Sequence, residues 1–356
     1  MEKKKICIVT LTGIDNYGNR LQNIALQDFL EKHNFKVFTL WNSSYDSNKK
    51  FLKKKCAYLL REILYILKFF TKKSITHFKR KKFNKKYVKI KKAFSLKSIQ
   101  RIAKYTNYFL VGSDQVWNLD FMNFNYSFLN FVDKKKRITY GVSWGNYFNL
   151  DSNRKNFIEK YSNAEFTSVL SREPVPEFIK ESKPHINYHT CLDPVFFFDK
   201  DYWIRKFHLN PTLKKDQIFV YKLGKENKKF NSIIENLLKE GEILKYAHGD
   251  AQHNFDDCIT SDIFVEHIAS SKFILTNSFH AFAFSVIFGT RVRFYCDGCT
   301  KIEDVDIRIR NLLHLLKMNF RLDTENCLLE PIYSSSIFET IKSQNNIDEK
   351  WLLNQF

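Results

Sequence analysis

Three polar runs in this chain of 356 residues each follow a short apolar segment and hold side chains able to move protons or bind anions. Gly112-Ser113-Asp114-Gln115-Val116-Trp117-Asn118 follows residues 108–111, Ser171-Arg172-Glu173-Pro174 follows residues 168–170, and Asn277-Ser278-Phe279-His280 follows residues 273–276. An imidazole such as His280 titrates near neutrality and can pass a proton in either direction. A carboxylate such as Asp114 can accept from a hydroxyl, and the amides of Asn19 and Gln22 can orient one. Each also has a plain structural reading. Ser113 and Asp114 suit an Asx turn, Arg172 and Glu173 a surface ion pair, His280 a packed position beside the apolar run 281–288, and Asn19 a helix cap.

The elements that must position these side chains alternate strand, polar loop and helix. Residues 6–11 read as a buried strand, 12–19 as a Gly- and Asn-containing loop, and Leu21, Ile24, Ala25, Leu26, Phe29 and Leu30 mark one face of a helix before a second strand at 36–40. Further strands are predicted at 108–111, 138–143, 168–170, 218–223 and 273–276, helices at 231–239, 263–270 and 281–288, and an extended segment at 191–198. This rhythm predicts an α/β fold with parallel sheets, in which ligands gather at the carboxyl ends of strands. The length predicts two domains. The first runs to residue 165 and carries a basic helical insertion at 49–95. The second covers 166–356, with its terminal helices crossing back.

Charge is unevenly spread. The net charge is +20, from 58 Lys and Arg against 38 Asp and Glu, which suits polyanions, anionic lipid or phosphorylated substrates. Residues 49–92 hold about eighteen Lys or Arg with Glu62 as their sole acid. Leu59, Leu60, Ile63, Leu64, Leu67 and Phe70 recur there at helical spacing, which fits either an amphipathic helix on an anionic inner leaflet or a surface helix packed on its own domain. A nucleic-acid binder is disfavoured because no zinc finger, basic zipper or RNP-like run accompanies the charge. Seven scattered cysteines argue against a disulfide framework and for a reducing cytoplasm. The pair Cys296 and Cys299 supplies only half of a usual zinc ligand set, so no metal is expected. Residues 6–11 are too short for a signal-peptide core, and nothing in the chain has the length of a spanning helix, so a cytoplasmic protein, free or peripheral, is expected.

The motifs taken together carry a resemblance. Asn16-Tyr17-Gly18-Asn19-Arg20-Leu21-Gln22, the 112–118 run, Ser171-Arg172-Glu173, Asp193-Pro194, Asn277-Ser278-Phe279-His280 and Arg308-Ile309 with Leu312-Leu313 occur in the order and approximate spacing of the polysaccharide pyruvyl transferase family. The resemblance runs from the first strand to about Arg321. It implies two Rossmann-like domains facing across a cleft, similar to the two-lobed GT-B glycosyltransferases. It also implies a reaction, the transfer of a pyruvyl group from phosphoenolpyruvate to sugar hydroxyls as a cyclic ketal, in the making of a capsule or exopolysaccharide. Phosphoenolpyruvate is then a co-substrate, and no metal or organic cofactor is called for.

That chemistry assigns expected roles. His280, Arg172 and Asp114 are the catalytic candidates: His280 to carry the proton for C3 or the departing phosphate, Arg172 to fork onto a donor anion, Asp114 to accept from a sugar hydroxyl. Ser278, Arg293 and Arg308 join Arg172 and His280 as donor contacts, while Asn16, Asn19, Gln22, Ser113, Asp114 and Gln115 are the acceptor set, on a sugar that is free or lipid-linked. Three positions depart from the family pattern. Ala281 stands where Gly is common and Asn277 where Asp is frequent, and Ser278 stands where studied pyruvyl transferases tend to carry Arg. One phosphate contact must then come from Arg291, Arg293 or Arg308. A glycosyltransferase using a nucleotide-sugar donor in the same cleft is the alternative reading.

Overall fold

The structure is a computed structural model. It describes residues 2–13, 16–42, 56, 59–60, 62–68, 71–212, 214–225, 227–239, 243–248 and 260–356. Phe70 and His253 lie outside them, as does most of the 49–58 part of the basic stretch.

Two separate sheets confirm the α/β expectation. The first has strand order β3-β2-β1-β4-β5, from β1 Lys5–Val9, β2 Lys36–Asn42, β3 Ile90–Ala93, β4 Tyr108–Val111 and β5 Arg137–Thr139, all parallel. β1 is central and fully buried from Ile6 to Val9, as a parallel strand covered on both faces must be. The second sheet has order β12-β13-β11-β10-β8-β9. Its β8 Lys214–Lys222, β9 Ile243–His248, β10 Ser271–Thr276 and β11 Arg291–Tyr295 are parallel, and β12 Asn319–Asp323 and β13 Leu328–Ile332 form an antiparallel hairpin on the β11 edge.

A parallel pair, β6 Ser168–Ser171 and β7 Asn187–Thr190, lies beyond β5. Val142 bridges both Asp114 and Ser171, and the Leu170 amide donates to Thr139 Oγ1 at 2.8 Å. These bonds attach β6 and β7 to the first sheet, so a division at residue 165 would cut through the first unit. The chain crosses into the second unit after Asp193. There the expected extended segment is instead a 3-10 turn, Pro194–Phe197, because Asp193 accepts the Val195 amide at 3.1 Å and Pro194 presets the first turn.

Three helices matter most below: α1 Tyr17–Lys32, α2 Phe279–Phe288 and α3 Ile337–Leu353. α1 belongs to the first sheet by sequence, yet Tyr17, Leu21, Ile24 and Ala25 join the core of the second unit, with Tyr17 stacked on Phe264 at 4.8 Å. α3 returns to the first unit. Its buried Asp348 accepts from the Leu192 amide and lies 2.8 Å from His189 Nε2, and Leu352 packs with Ile6, Ile8 and Leu26. A continuous apolar core therefore spans the junction. No described helix is long and apolar enough to cross a membrane.

Leu59, Leu60 and residues 62–67 are helical. Glu62 pairs with His77 and Lys81 of the helix Lys72–Tyr87, and Tyr65 stacks on His77 at 3.9 Å. The apolar stripe points the other way: Leu60, Leu64 and Leu67 are 60%, 54% and 76% exposed. Among the described residues, little of the chain covers these three leucines.

Candidate functional site

Three strand ends and two helix starts meet where the units join. β1 ends before the turn into α1, β4 ends before Ser113 and Asp114, and β10 ends before Ser278 and α2. The carboxyl ends of parallel strands from both sheets therefore open on one place, as doubly wound folds require of a ligand site.

Arg172 is its hub. The side chain is buried, with Nη1 donating to Asp193 Oδ2 at 2.7 Å and Nη2 to Asp114 Oδ1 at 3.1 Å. Its guanidinium lies 4.8 Å over the Phe279 ring, and its backbone carbonyl accepts from Asn311 Nδ2 at 2.5 Å. Burial opposes its charge, but Asp114, Asp193 and Glu173 outweigh that and raise its pKa. The expected surface pair between Arg172 and Glu173 is absent, because the arginine fork is turned inward onto two aspartates. Those same aspartates occupy both ends of the fork that was expected to grip a donor anion.

His280 sits in the first turn of α2, with Nε2 3.5 Å from Asp193 Oδ2 and no hydrogen bond closed. Burial disfavours the Asp193 carboxylate, yet His280 and Arg172 beside it hold its pKa down at about 2. An ionised aspartate thus faces the imidazole Nε2. The imidazole is fixed from the other side by Gly18 in the first turn of α1. A Cβ there would lie 2.1 Å from His280 Nδ1. One residue type from the first unit therefore decides whether a side chain of the second can take its place.

The other predicted residues divide. Asp114, buried with φ 83°, serves as an acceptor for Arg172 and for the Gln115 amide. Ser113 is fully buried and donates from Oγ to the Gly141 carbonyl at 2.9 Å and to Asp193 at 3.3 Å. Gln22 is fully buried too, its amide spanning Thr10 Oγ1, the Asn19 carbonyl and the Ser113 amide. Both hold the 112–118 loop against α1, where an acceptor contact was expected. Asn16 caps α1 by accepting from the Asn19 amide at 3.1 Å, so the cap assigned to Asn19 belongs to Asn16. Gln115 is part-exposed and accepts from Asn118 at 3.4 Å.

Among the donor candidates, Ser278 caps α2, accepting from Ala281 N at 3.4 Å. Arg308 lies 5.8 Å from the Phe279 ring and is gripped by Asp306 at 2.9 and 2.6 Å. Arg293 is elsewhere. It pairs with Glu330 at 2.7 Å and covers Phe273 at the start of β10, while the site lies at the strand's end. Its expected place among the donor contacts is corrected by that pairing, which engages the guanidinium with Glu330.

Two further residues belong to the site. Arg20 is buried at 1% exposure; Nη2 donates to the Leu11 carbonyl at 2.7 Å, while Nε and Nη1 have no partner. Burial lowers its pKa to about 10, with Asp114 acting the other way, so it stays a cation at neutral pH. Glu173 is fully buried, and burial pushes its carboxyl up to about 7. Both stood inside the quoted motifs, but nothing in their spacing distinguished a buried, incompletely bonded charge from a solvated one. Beside them opens a pocket of about 600 Å³ lined by Trp144, Asn146, Phe148, Arg154, Phe178 and Arg310, bordered by Gly145. Among the described residues no cluster of His, Cys, Asp or Glu is placed to hold a metal ion.

Comparison with known proteins supplies a family. Residues 16–295 match the family described as "Polysaccharide pyruvyl transferase", a span that takes in Arg20, Asp114, Arg172, Glu173, Asp193 and His280. No curated protein matches the chain. Among solved structures, it is similar to a putative UDP-N-acetylglucosamine 2-epimerase from Listeria monocytogenes, at 12% identity over 100% of this chain and 90% of that one, with a TM-score of 0.45. The UDP-GlcNAc 2-epimerase from Neisseria meningitidis is 11% identical over 99% and 94%, with a TM-score of 0.42. An alpha-glucosyltransferase in complex with UDP and DNA is 11% identical over 99% and 93%, with a TM-score of 0.44.

Proposed function

The chain belongs to the polysaccharide pyruvyl transferase family, and from that premise we propose that it transfers a pyruvyl group from phosphoenolpyruvate to two hydroxyls of one sugar. The first hydroxyl oxygen bonds to C2 while C3 gains a proton and becomes a methyl group. The C2–O bond to phosphate then breaks, and the second hydroxyl oxygen bonds to C2 to close the ketal. Of the two hydroxyl protons, one ends on C3 and the other leaves with phosphate.

The observation that carries this reading is the Asp193–His280 pair, fixed by Gly18 in α1, with the buried Arg20 two residues further along that helix holding unused donors. His280 is the proton carrier, with the Asp193 carboxylate facing its Nε2. Arg20 is the anion contact that the departure at Ser278 called for. A guanidinium buried with two of its nitrogens unbonded is costly, and a phosphate or carboxylate from the donor relieves that cost. The α2 amides add positive potential at the same place. The acceptor sugar takes the pocket beside Gly145, where Trp144, Phe148 and Phe178 offer apolar walls and Asn146, Arg154 and Arg310 offer donors.

The exposed leucines of residues 59–67 and the basic stretch around them support a peripheral position on the anionic inner leaflet, where a lipid-linked glycan acceptor would be presented. The test is phosphate release from phosphoenolpyruvate by the purified protein with a panel of lipid-linked glycan acceptors. Acceptor-dependent release, reduced at least about 100-fold in a folded His280→Ala protein, is expected. Absence of release with every acceptor, with thermal stabilisation by a nucleoside diphosphate and none by phosphoenolpyruvate, would overturn the reading in favour of glycosyl transfer.

A further inference from the structure

The charges gathered at the junction do not sum to a site ready for an anion. Asp114, Asp193, Asp306 and Glu173 stand against Arg20, Arg172 and Arg308, four acids to three guanidinium groups. With every carboxyl ionised and His280 neutral, the sum is −1. A donor bearing phosphate and carboxylate would meet repulsion there unless the site took up protons.

Three of the four acids have a guanidinium to hold their charge. Asp114 and Asp193 share the fork of Arg172, and Asp306 takes that of Arg308 from two directions. Glu173 has none. Its Oε1 accepts from the Ser143 hydroxyl at 2.5 Å and the Gly145 amide at 3.3 Å, and its Oε2 has no partner at all. It is sealed from solvent, so water does not make up the difference. A buried carboxyl bonded only by neutral donors is cheaper with its proton than without it.

We propose that Glu173 is the proton store of this site, neutral whenever an anionic donor occupies the cleft, so that donor binding draws a proton onto it. The inference rests on the phosphoenolpyruvate reading above for the identity of the donor, but not for the buried proton itself. Glu173 acts through its neighbours and is a positioning residue. The groups facing it are Arg172, Arg308 and Asp306, with Ser143 bonded to it. With Glu173 neutral the same tally rises from −1 to 0, which removes the net repulsion while the forks of Arg172 and Arg308 stay on their aspartates. Burial sets the carboxyl's midpoint at about 7, opposed by Arg172, Ser143 and Arg308, so the exchange falls in the working range.

The test uses full-length protein and Glu173→Gln, which keeps the shape of the neutral acid, with thermal melts to establish that both are folded. Infrared difference spectra across about pH 7 should show a carboxylic-acid band in the wild type that fades as pH rises and is missing in Glu173→Gln. Calorimetric titration with phosphoenolpyruvate in buffers of different ionisation heat should show proton uptake near neutrality that shrinks in the variant. Wild-type affinity should weaken by up to about tenfold per pH unit above that midpoint, and the variant should lose that component. A wild type without the band, or a variant with unchanged proton uptake, would overturn the proposal. Failure of phosphoenolpyruvate to bind the wild type at any pH would sink the donor assignment instead, and the infrared band would still decide whether Glu173 holds the proton.

Discussion

The junction cluster and the basic outer face use charge in opposite ways. At the junction, Arg172, Asp114, Asp193 and Glu173 are sealed from water and held in fixed geometry. On the outer face, Lys79, Lys82 and Lys85 stand exposed along the helix Lys72–Tyr87, and the leucines of residues 59–67 are largely exposed too. Buried charge interacts strongly and only with its neighbours, whereas exposed charge is screened within about 8–10 Å and acts by sum. The first arrangement suits a reaction that moves single protons. The second suits attraction to a surface.

The comparison breaks most directly at Arg172. Arg172→Ala would strand the Asp114 and Asp193 carboxylates without their cation, a change that costs about 3–5 kcal/mol for a buried pair. Urea unfolding should show that loss, together with abolished turnover. The same truncation at Lys79, Lys82 and Lys85 combined should leave the midpoint nearly unchanged. If the triple variant were as unstable as Arg172→Ala, the distinction between the two regions would fail.

Next in size is Gly18→Ala. The added methyl would occupy the position of the His280 ring, 2.1 Å from Nδ1, and the imidazole must turn away from Asp193. Displacing a reacting group by about 1 Å can cost on the order of 100-fold in rate. The loss should appear in kcat, with circular dichroism unchanged. Full activity in Gly18→Ala would mean that His280 has no need of its observed position.

How much of this was legible in the sequence follows from the same contrast. Strand 108–111, the start of α1 and the turn before His280 could be read because apolar runs end abruptly in polar residues, and those ends are where the site lies. Asp114, Arg172 and His280 were thus found together. Their partners were not: Arg172 reads locally as a neighbour of Glu173, while its bonds run to Asp193 and Asp114, 21 and 58 residues away. Long-range pairing of this kind leaves no periodicity to detect. The hairpin of β12 and β13 went unread too, because β12 buries none of its residues and β13, though mostly buried, is short and interrupted by Glu330 and Pro331. The helix Lys72–Tyr87 falls within the basic helical insertion expected at 49–95, but its lysines obscured the face on which Ser74, His77, Phe83 and Tyr87 lie buried.

A smaller effect sharpens the junction side. Glu173 has its carboxyl raised from 4.5 to about 7 in the folded protein. Between those values the folded state binds the extra proton and the unfolded state does not, so this group makes stability fall as pH rises from about 4.5 to about 7 and contributes no further slope above it. Asp193, held at about 2 against an ordinary 3.8, has the opposite sign: its contribution is present above the ordinary value and is lost as pH falls through about 2. Glu173→Gln should therefore flatten the melting temperature against pH between about 4.5 and 7 and leave the acid limb in place. An unchanged neutral slope would mean that Glu173 is ionised throughout.

The smallest effect on the folded protein comes from the outer face, and that is what makes it informative. Leu60, Leu64 and Leu67 are exposed on one side of their helix, so replacing them with Asp removes no packing within the described structure and should shift stability by no more than about 0.5 kcal/mol each. Turnover with a water-soluble acceptor should likewise be unchanged, since none of the three approaches the junction. Binding to vesicles containing anionic lipid should nevertheless fall sharply, because apolar insertion and attraction by the surrounding lysines act together in holding a peripheral helix. Raised salt should weaken the wild type and leave a residual apolar component, while the Asp variants should lose that component first. Equal vesicle binding by wild type and variants would leave the charge alone as the attraction, and a surface read by charge alone has no need of leucines at those positions.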